Sequence, residues 1–296
     1  MSVPRSLLPL AASALLLLAA CSSDGSDAAT TTTKAPSSAS TTTAKGSSTT
    51  ADAGATTTAG GASDDALQIL VSNDDGYSAE GISTLVDALR TLDDVQVTVV
   101  APLGQRSGTG GKTTPGALKV SDVKLKSGYA AKAVDGFPAD TIRAAFDDLG
   151  IKPDLVVTGI NEGQNLGPLV DLSGTVGAAR AAVAKGVPAL ATSAGIGKPV
   201  DYAAAVPFVV DWVEQHRGAI AAGDEPVAVT NLNVPSCATG KVKGLVETTV
   251  DLEGAAKDAL IGVQQCASAA AADEQAGDIT EFTAGFATLT PLAAAP

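Results

Sequence analysis

Leu67-Gln68-Ile69-Leu70-Val71-Ser72-Asn73-Asp74-Asp75-Gly76 is the stretch from which the fold class can be read. Leu67–Val71 is an apolar run with little polar alternation. A strand with one face in water alternates apolar and polar side chains, so this run predicts a strand covered on both faces. It stops at Ser-Asn-Asp-Asp-Gly, residue types that favour tight turns. The same pattern recurs downstream. Apolar residues at 82, 85, 86 and 89 have helical spacing over Ile82–Arg90, and Val95–Val100 is a second strand, stopped by Pro102. Residues 103–116 are Gly-rich and aperiodic, a loop. Leu118–Val134 alternates weakly around Ser127-Gly128, a hairpin signal. Ala139–Leu149 reads as a helix, and Asp154–Thr158 as a third core strand entered through Pro153. Thr175–Lys185 is an Ala-rich helix ending at Gly186, followed by a strand at Pro188–Thr192, a helix at Tyr202–His216 and a strand at Val227–Asn231. Strands alternating with helices predict an α/β fold with a mostly parallel, Rossmann-like sheet flanked by helices. The hairpin is an insertion into it, and the remaining C-terminal residues form an extension.

In such sheets ligands bind outside the carboxyl ends of the strands, and that is where the polar residues are unusual. Asn73-Asp74-Asp75-Gly76 follows the first strand and Arg106-Ser107-Gly108 the second. Gly159-Ile160-Asn161-Glu162-Gly163-Gln164-Asn165-Leu166-Gly167 follows the third, and Ser173-Gly174-Thr175 opens the Ala-rich helix. Adjacent carboxylates at a strand end are hard oxygen ligands for a divalent cation such as Mg²⁺ or Mn²⁺, and Asn and Ser can complete an all-oxygen shell. A helix N-terminus beginning Ser-Gly-Thr offers hydroxyls, free N–H groups and the positive end of the macrodipole to a phosphate. Together these point to metal-assisted phosphate-ester hydrolysis. Taken singly, each has a plainer reading: a turn at Asn73–Gly76, a helix cap at Ser173, a tight strand exit at Gly159–Asn161.

Composition excludes other chemistries. The 296 residues carry 19 Lys and Arg against 32 Asp and Glu, a formal net charge of −13, and a chain this acidic is unsuited to wrapping a nucleic-acid polymer. Three Cys are too few for a disulfide scaffold, and a single His, His216, rules out any site needing two. Gly108-Thr109-Gly110-Gly111-Lys112-Thr113 imitates the end of a P-loop. However, the first Gly of that pattern would fall on Arg106, and Pro115-Gly116 breaks the helix that should follow.

At these residues the chain resembles the SurE family, the survival-protein 5′/3′-nucleotidases. The matching stretches are Ile69–Gly76, Glu80–Ile82, Ala101-Pro102 with Arg106–Gly108, Gly136–Asp140, Val157–Gly167, Ser173–Ala179, Asn231–Pro235 and Thr288–Leu292. They run in order over about residues 67–292. The resemblance implies a SurE-like, Rossmann-like core, one bound divalent metal ion (Mg²⁺ or Mn²⁺), and hydrolysis of nucleoside monophosphates to nucleoside and phosphate. It implies Asp74, Asp75, Ser107 and Asn161 as metal ligands, with Asp74 and Asp75 also the catalytic pair. Asn73, Gly159, Asn165, Ser173, Gly174 and Thr175 would line the phosphate and substrate pocket. One of the two Asp carboxylates would take the proton of the attacking water, without assignment between them. The family also implies a homodimer or homotetramer. Between Gly167 and Ser173 this chain is less polar than is usual there.

The first 65 residues differ in kind from the rest. Arg5 precedes an apolar run, Leu7–Ala20, the length of a signal-peptide core rather than a membrane span. It ends Leu18-Ala19-Ala20-Cys21, which resembles the bacterial lipobox and predicts a lipoprotein signal peptide over 1–20 with lipid on Cys21. Residues 21–65 are rich in Ser, Thr, Ala and Gly and, past Cys21, hold no Val, Ile, Leu, Met or aromatic residue, so they read as a disordered linker. Residues 66–296 are then the catalytic domain, exported and lipid-anchored to the outer face of the bacterial cell membrane. In that oxidising setting Cys237 and Cys266 are a candidate disulfide, with two free buried thiols as the other reading. Two other functions fit parts of the pattern: a solute-binding lipoprotein capturing a phosphorylated ligand, and a catalytically inactive module on the same fold.

Overall fold

The computed structural model describes residues 66–294 except 255 and 274. The expected signal peptide, Cys21 and the linker lie outside the described residues. The elements are β1 (Leu67–Ser72), α1 (Glu80–Leu89), β2 (Val95–Pro102), β3 (Val120–Lys124), β4 (Ala130–Val134), α2 (Pro138–Arg143), β5 (Leu155–Glu162), α3 (Gly174–Val183) and β6 (Ala189–Ala194). They continue with α4 (Tyr202–Ala222), β7 (Val229–Val234), β8 (Leu245–Glu247), α5 (Ala256–Ile261), α6 (Asp278–Ala284) and β9 (Ala287–Leu292). The nine strands form one mixed sheet in the order β3-β4-β2-β1-β5-β6-β7-β9-β8. The pairs β3–β4 and β7–β9 are antiparallel and the rest parallel.

The apolar run that opens the domain is covered on both faces, as its composition requires. Leu67, Ile69 and Val71 pack with Ile82, Leu85 and Leu89 of α1 and Val209, Trp212 and Val213 of α4. Leu70 points the other way, into a layer formed with Ile142 of α2 and Ala178, Ala179 and Ala182 of α3. The small side chains of α3 let that helix lie close to the sheet, and a Cβ on Gly177 would strike the Gly110 carbonyl of the loop after β2. His216, on α4, stacks on Trp212 with ring centroids 4.2 Å apart and meets Glu225 at 2.9 Å, so the single histidine is structural.

Three expectations are revised. The helix expected over 139–149 is α2 followed by one wider π turn at Ala144–Asp148, closed by the Leu149 N–H on the Ala144 carbonyl. The helix expected to stop at His216 runs to Ala222, where Gly223 takes the left-handed conformation that ends it (φ 73°). The C-terminal extension adds β9 and β8 to the sheet edge beyond β7. Cys237 and Cys266 are bonded, which settles the two readings left open. The bond ties the segment after β7 to the segment after α5 across a separation of 29 residues. Loop closure on that scale stabilises by about 3 kcal/mol. We expect the Cys237→Ser/Cys266→Ser double variant to lose about that much in denaturant unfolding, and an unchanged midpoint would contradict it.

Candidate active site

The chain leaves β1 in one direction toward β2 and β4 and returns on its other side as β5, so the loops at the carboxyl ends of β1 and β5 diverge and open a crevice. Asp74 and Asp75 stand on the first loop, and Asn161 ends the second strand. The turn carrying the aspartates is made rigid by Asn73. Its amide donates to the Gly76 carbonyl at 2.9 Å and its Oδ1 accepts the Gly76 N–H at 3.2 Å. The Asn73 side chain, expected in the phosphate pocket, is spent on this turn and fully buried.

Asp74 is 2% exposed. Its Oδ1 accepts from Thr175 Oγ1 at 2.6 Å, which fixes the carboxylate against the start of α3. Thr175 is itself locked, its carbonyl accepting from Thr158 Oγ1 of β5 at 3.0 Å. Gly174 is needed by its neighbour: a Cβ there would lie 2.8 Å from Asp74 Cβ and 3.0 Å from Pro138 Cγ. Ser173 caps α3, its Oγ accepting the Val176 N–H at 3.1 Å. Asp75 is held from the other side, Oδ2 accepting the Glu162 N–H at 3.0 Å. The Arg106 N–H donates to the Asp74 carbonyl at 2.6 Å, and this brings the turn bearing exposed Ser107 to the same crevice.

Burial raises the pKa of Asp74 above its ordinary value despite hydrogen bonds from Thr175 and the α3 backbone. Asp75 is pushed up to about 6, first by burial and then by the charge of Asp74. No ion pair among the described residues involves either carboxylate. Asn161 lies just past a register shift of β5 against β6, after Thr158. Its amide donates to the Gly163 carbonyl at 2.6 Å, while its Oδ1 is buried with no hydrogen-bond partner. Gly159 sits inside that shift at φ 124°, with the space of a Cβ already filled by Thr192. Two adjacent carboxylates without a counter-charge and an orphaned amide oxygen are a donor set that fits a hard divalent cation. No group of three His, Cys, Asp or Glu side chains is clustered for a metal among the described residues, so the fit depends on the neutral oxygens of Asn161 and Ser107.

Asn165 is positioned by residues the motif reading did not assign. Its carbonyl accepts from the amides of Asn231 (2.9 Å) and Asn233 (3.1 Å), its N–H donates to Asn233 Oδ1 (2.7 Å), and its own amide donates to Ser193 Oγ (2.9 Å). The signal was Asn231-Leu-Asn233, two amides on one face of a buried strand, where only a functional network justifies them. Asp278 of α6 accepts the Gly167 N–H at 2.9 Å and so ties the C-terminal extension to the end of the same loop.

The model of the family described as survival protein SurE matches residues 69–256, which contain every site residue named above except Asp278. The 5′-nucleotidase SurE of Brevibacillus brevis is 38% identical over 193 residues, 63% of this chain and 73% of that protein. That of Geobacter metallireducens is 40% identical over 185 residues, 62% and 70% of the two chains. The crystal structure of the SurE protein from Aquifex aeolicus superposes with a TM-score of 0.60 at 27% identity, covering 77% of this chain and 93% of that one. With the sheet order, the crevice at the β1–β5 switch and these matches in agreement, the chain belongs to the SurE family.

Proposed function

We propose that this protein is a divalent-metal-dependent phosphomonoesterase that hydrolyses nucleoside monophosphates, at the 5′ or 3′ position, to nucleoside and phosphate. The observation that carries the reading is buried Asp74 next to half-buried Asp75, neither with an ion-pair partner among the described residues, together with the unsatisfied Oδ1 of Asn161 at the end of β5. The names of the relatives, 5′-nucleotidase SurE, supply the substrate class. Asp74, Asp75, Asn161 and Ser107 would hold the ion. When bound, it neutralises phosphoryl charge and lowers the pKa of a coordinated water. The first turn of α3, from Ser173 to Thr175, presents the positive end of a helix dipole to the phosphate. Asp74 accepts a hydrogen bond on Oδ1 and Asp75 one on Oδ2, but Asp74 is buried and Asp75 only half-buried, so Asp75 is the more accessible to accept the proton of the attacking water. Asn165 is locked in place by Asn231, Asn233 and Ser193.

Capture of a phosphorylated solute without hydrolysis is the weaker reading, because two carboxylates repel a phosphate unless a cation lies between them. The two readings are separated by assaying inorganic phosphate released from AMP and GMP with Mn²⁺, with Mg²⁺ and with EDTA. Release that needs the metal is the expected result. No release from any phosphomonoester would overturn the proposal.

The carboxylates also predict a stability effect. A carboxyl group whose folded pKa is raised contributes fully below its unfolded value near 3.8, and that contribution is lost as the pH rises through about 6. The metal-free protein therefore loses stability between pH 4 and 7, and a bound cation restores it. We expect Mn²⁺ to raise Tm more at pH 7.5 than at pH 5. Equal shifts at the two pH values would contradict the assignment.

The site would work outside the cytoplasm, on a lipid anchor at Cys21. The Cys237–Cys266 bond supports an oxidising compartment. Membrane-fraction recovery that Cys21→Ala abolishes is the expected result, and recovery that it leaves unchanged would count against the anchor.

A further inference from the structure

The loop that carries Asn161 and Asn165 is shared between the sheet and the C-terminal extension. Asn165 is held by side chains of β6 and β7. Its neighbours are held by the extension. Gln164 is 7% exposed and spends its whole side chain. Its Nε2 donates to the carbonyls of Ala259 (2.8 Å) and Leu260 (3.1 Å) in α5, and its Oε1 accepts the Ile196 N–H (2.9 Å). Leu166 is buried with Ala259, Ile279 and Phe282 in a small apolar core separate from the two that flank the sheet. The Gly167 N–H donates to Asp278 of α6. The loop is therefore only as well placed as α5 and α6 are.

The segment after α5 is fastened in turn to the residues after β6 and β7. Gln264 donates to the Ile196 carbonyl (2.8 Å) and accepts the Ser236 N–H. The backbone of Ile196 is thus gripped on its N–H by Gln164 and on its carbonyl by Gln264. Cys237 follows Ser236, Cys266 lies two residues past Gln264, and the two are bonded. The covalent bond and the Gln264 brace close one small ring. None of these side chains has a part in the hydrolytic chemistry.

We propose that Gln164 is a positioning residue for Asn161 and Asn165, and that the Cys237–Cys266 bond fixes the extension on which Gln164 depends, so that the protein works at full rate only when oxidised. The proposal rests on the phosphomonoesterase reading of the crevice. Reduction by a dithiol breaks the S–S bond, leaves one hydrogen on each sulfur and turns the dithiol into its own disulfide. Cys237 is half-buried, so a small thiol reaches it. The segment bearing Gln264 is then free to shift, α5 with it, and Gln164 follows because its donors are bonded to α5. Misplacement of about 1 Å in a site costs up to about 100-fold in rate. The protein would be slow where dithiols keep both sulfurs reduced and fast in an oxidising compartment.

The test compares the full chain before and after treatment with a phosphine, which breaks the bond by taking the oxygen of one water and leaving its hydrogens on the two sulfurs. The assay temperature is one at which far-UV circular dichroism shows both forms folded. There kcat/KM for AMP should fall at least about tenfold on reduction and return on reoxidation. Brief hydrogen–deuterium exchange should show residues 161–167 opening on reduction while β1 stays protected over the same interval. Gln164→Leu, with the bond intact, should reproduce the loss of rate. The Cys237→Ser/Cys266→Ser variant should match the reduced form and ignore the phosphine. Equal protection of 161–167 in the two forms, or active forms within about twofold in kcat/KM, would overturn the proposal. Failure of the crevice reading shows separately, as no phosphate release by either form while 161–167 still opens on reduction.

Discussion

Asp74→Asn is expected to reduce phosphate release from AMP by at least about 100-fold without unfolding the domain. Loss of residues that merely orient a metal ligand typically costs 10- to 100-fold, so loss of a charged ligand should cost no less. The fold should tolerate the change because Asn keeps the shape and an oxygen acceptor for Thr175 Oγ1, now 2.6 Å away. The variant also removes the buried one of two adjacent charges, so metal-free Tm should stay level or rise, while the Mn²⁺-dependent gain in Tm shrinks. Phosphate release and thermal unfolding on the same preparation check both halves. Unchanged activity would remove Asp74 from the metal site.

Gly159→Ala is expected to have the largest effect on the fold. At φ 124° a side chain is strained by about 1–3 kcal/mol. The added Cβ would also run into the carbonyl oxygen and Oγ1 of Thr192. Neither can yield cheaply: the first is sheet backbone, and the second donates to the Thr158 carbonyl at 2.9 Å. Overpacking of this kind costs about 1–3 kcal/mol more. The sum, about 2–6 kcal/mol, corresponds to a fall in Tm of roughly 4–24 °C for a domain of this size. Because Gly159 lies in the register shift that precedes Asn161, the surviving folded fraction should also bind Mn²⁺ more weakly. A Tm within 2 °C of the unmodified protein would contradict this account of the glycine.

Most of the sheet was legible because parallel strands buried on both faces are rich in apolar residues, as in Leu67–Ser72 of β1 and Leu155–Val157 of β5. The sheet edge was not. Three residues of β8 carry no periodicity, and Thr288-Leu-Thr-Pro-Leu292 contains a proline that reads as a turn, although Pro291 pairs with Thr230 in an antiparallel ladder. The proposed site residues were named where such chemistry needs particular residue types after a strand, as at Asp74 and Asp75, whereas Ser173 caps α3. Asn73 and Asn165 were named, yet the first serves its turn and the second depends on Asn231, Asn233 and Ser193. Such dependence runs through side chains 28 to 68 residues away, which no local pattern records. Cys237 and Cys266 were named as a candidate pair, but bonded and free thiols have the same sequence, so the choice between them was left to the structure.

Asp74, Asp75, Asn161 and Ser107 are proposed to converge on one divalent cation. The most direct test is an anomalous difference map from crystals of the domain grown with Mn²⁺. The account predicts a single strong peak between the Asp74 and Asp75 carboxylates and Asn161 Oδ1. No peak there, or a peak elsewhere with this crevice empty, would contradict it.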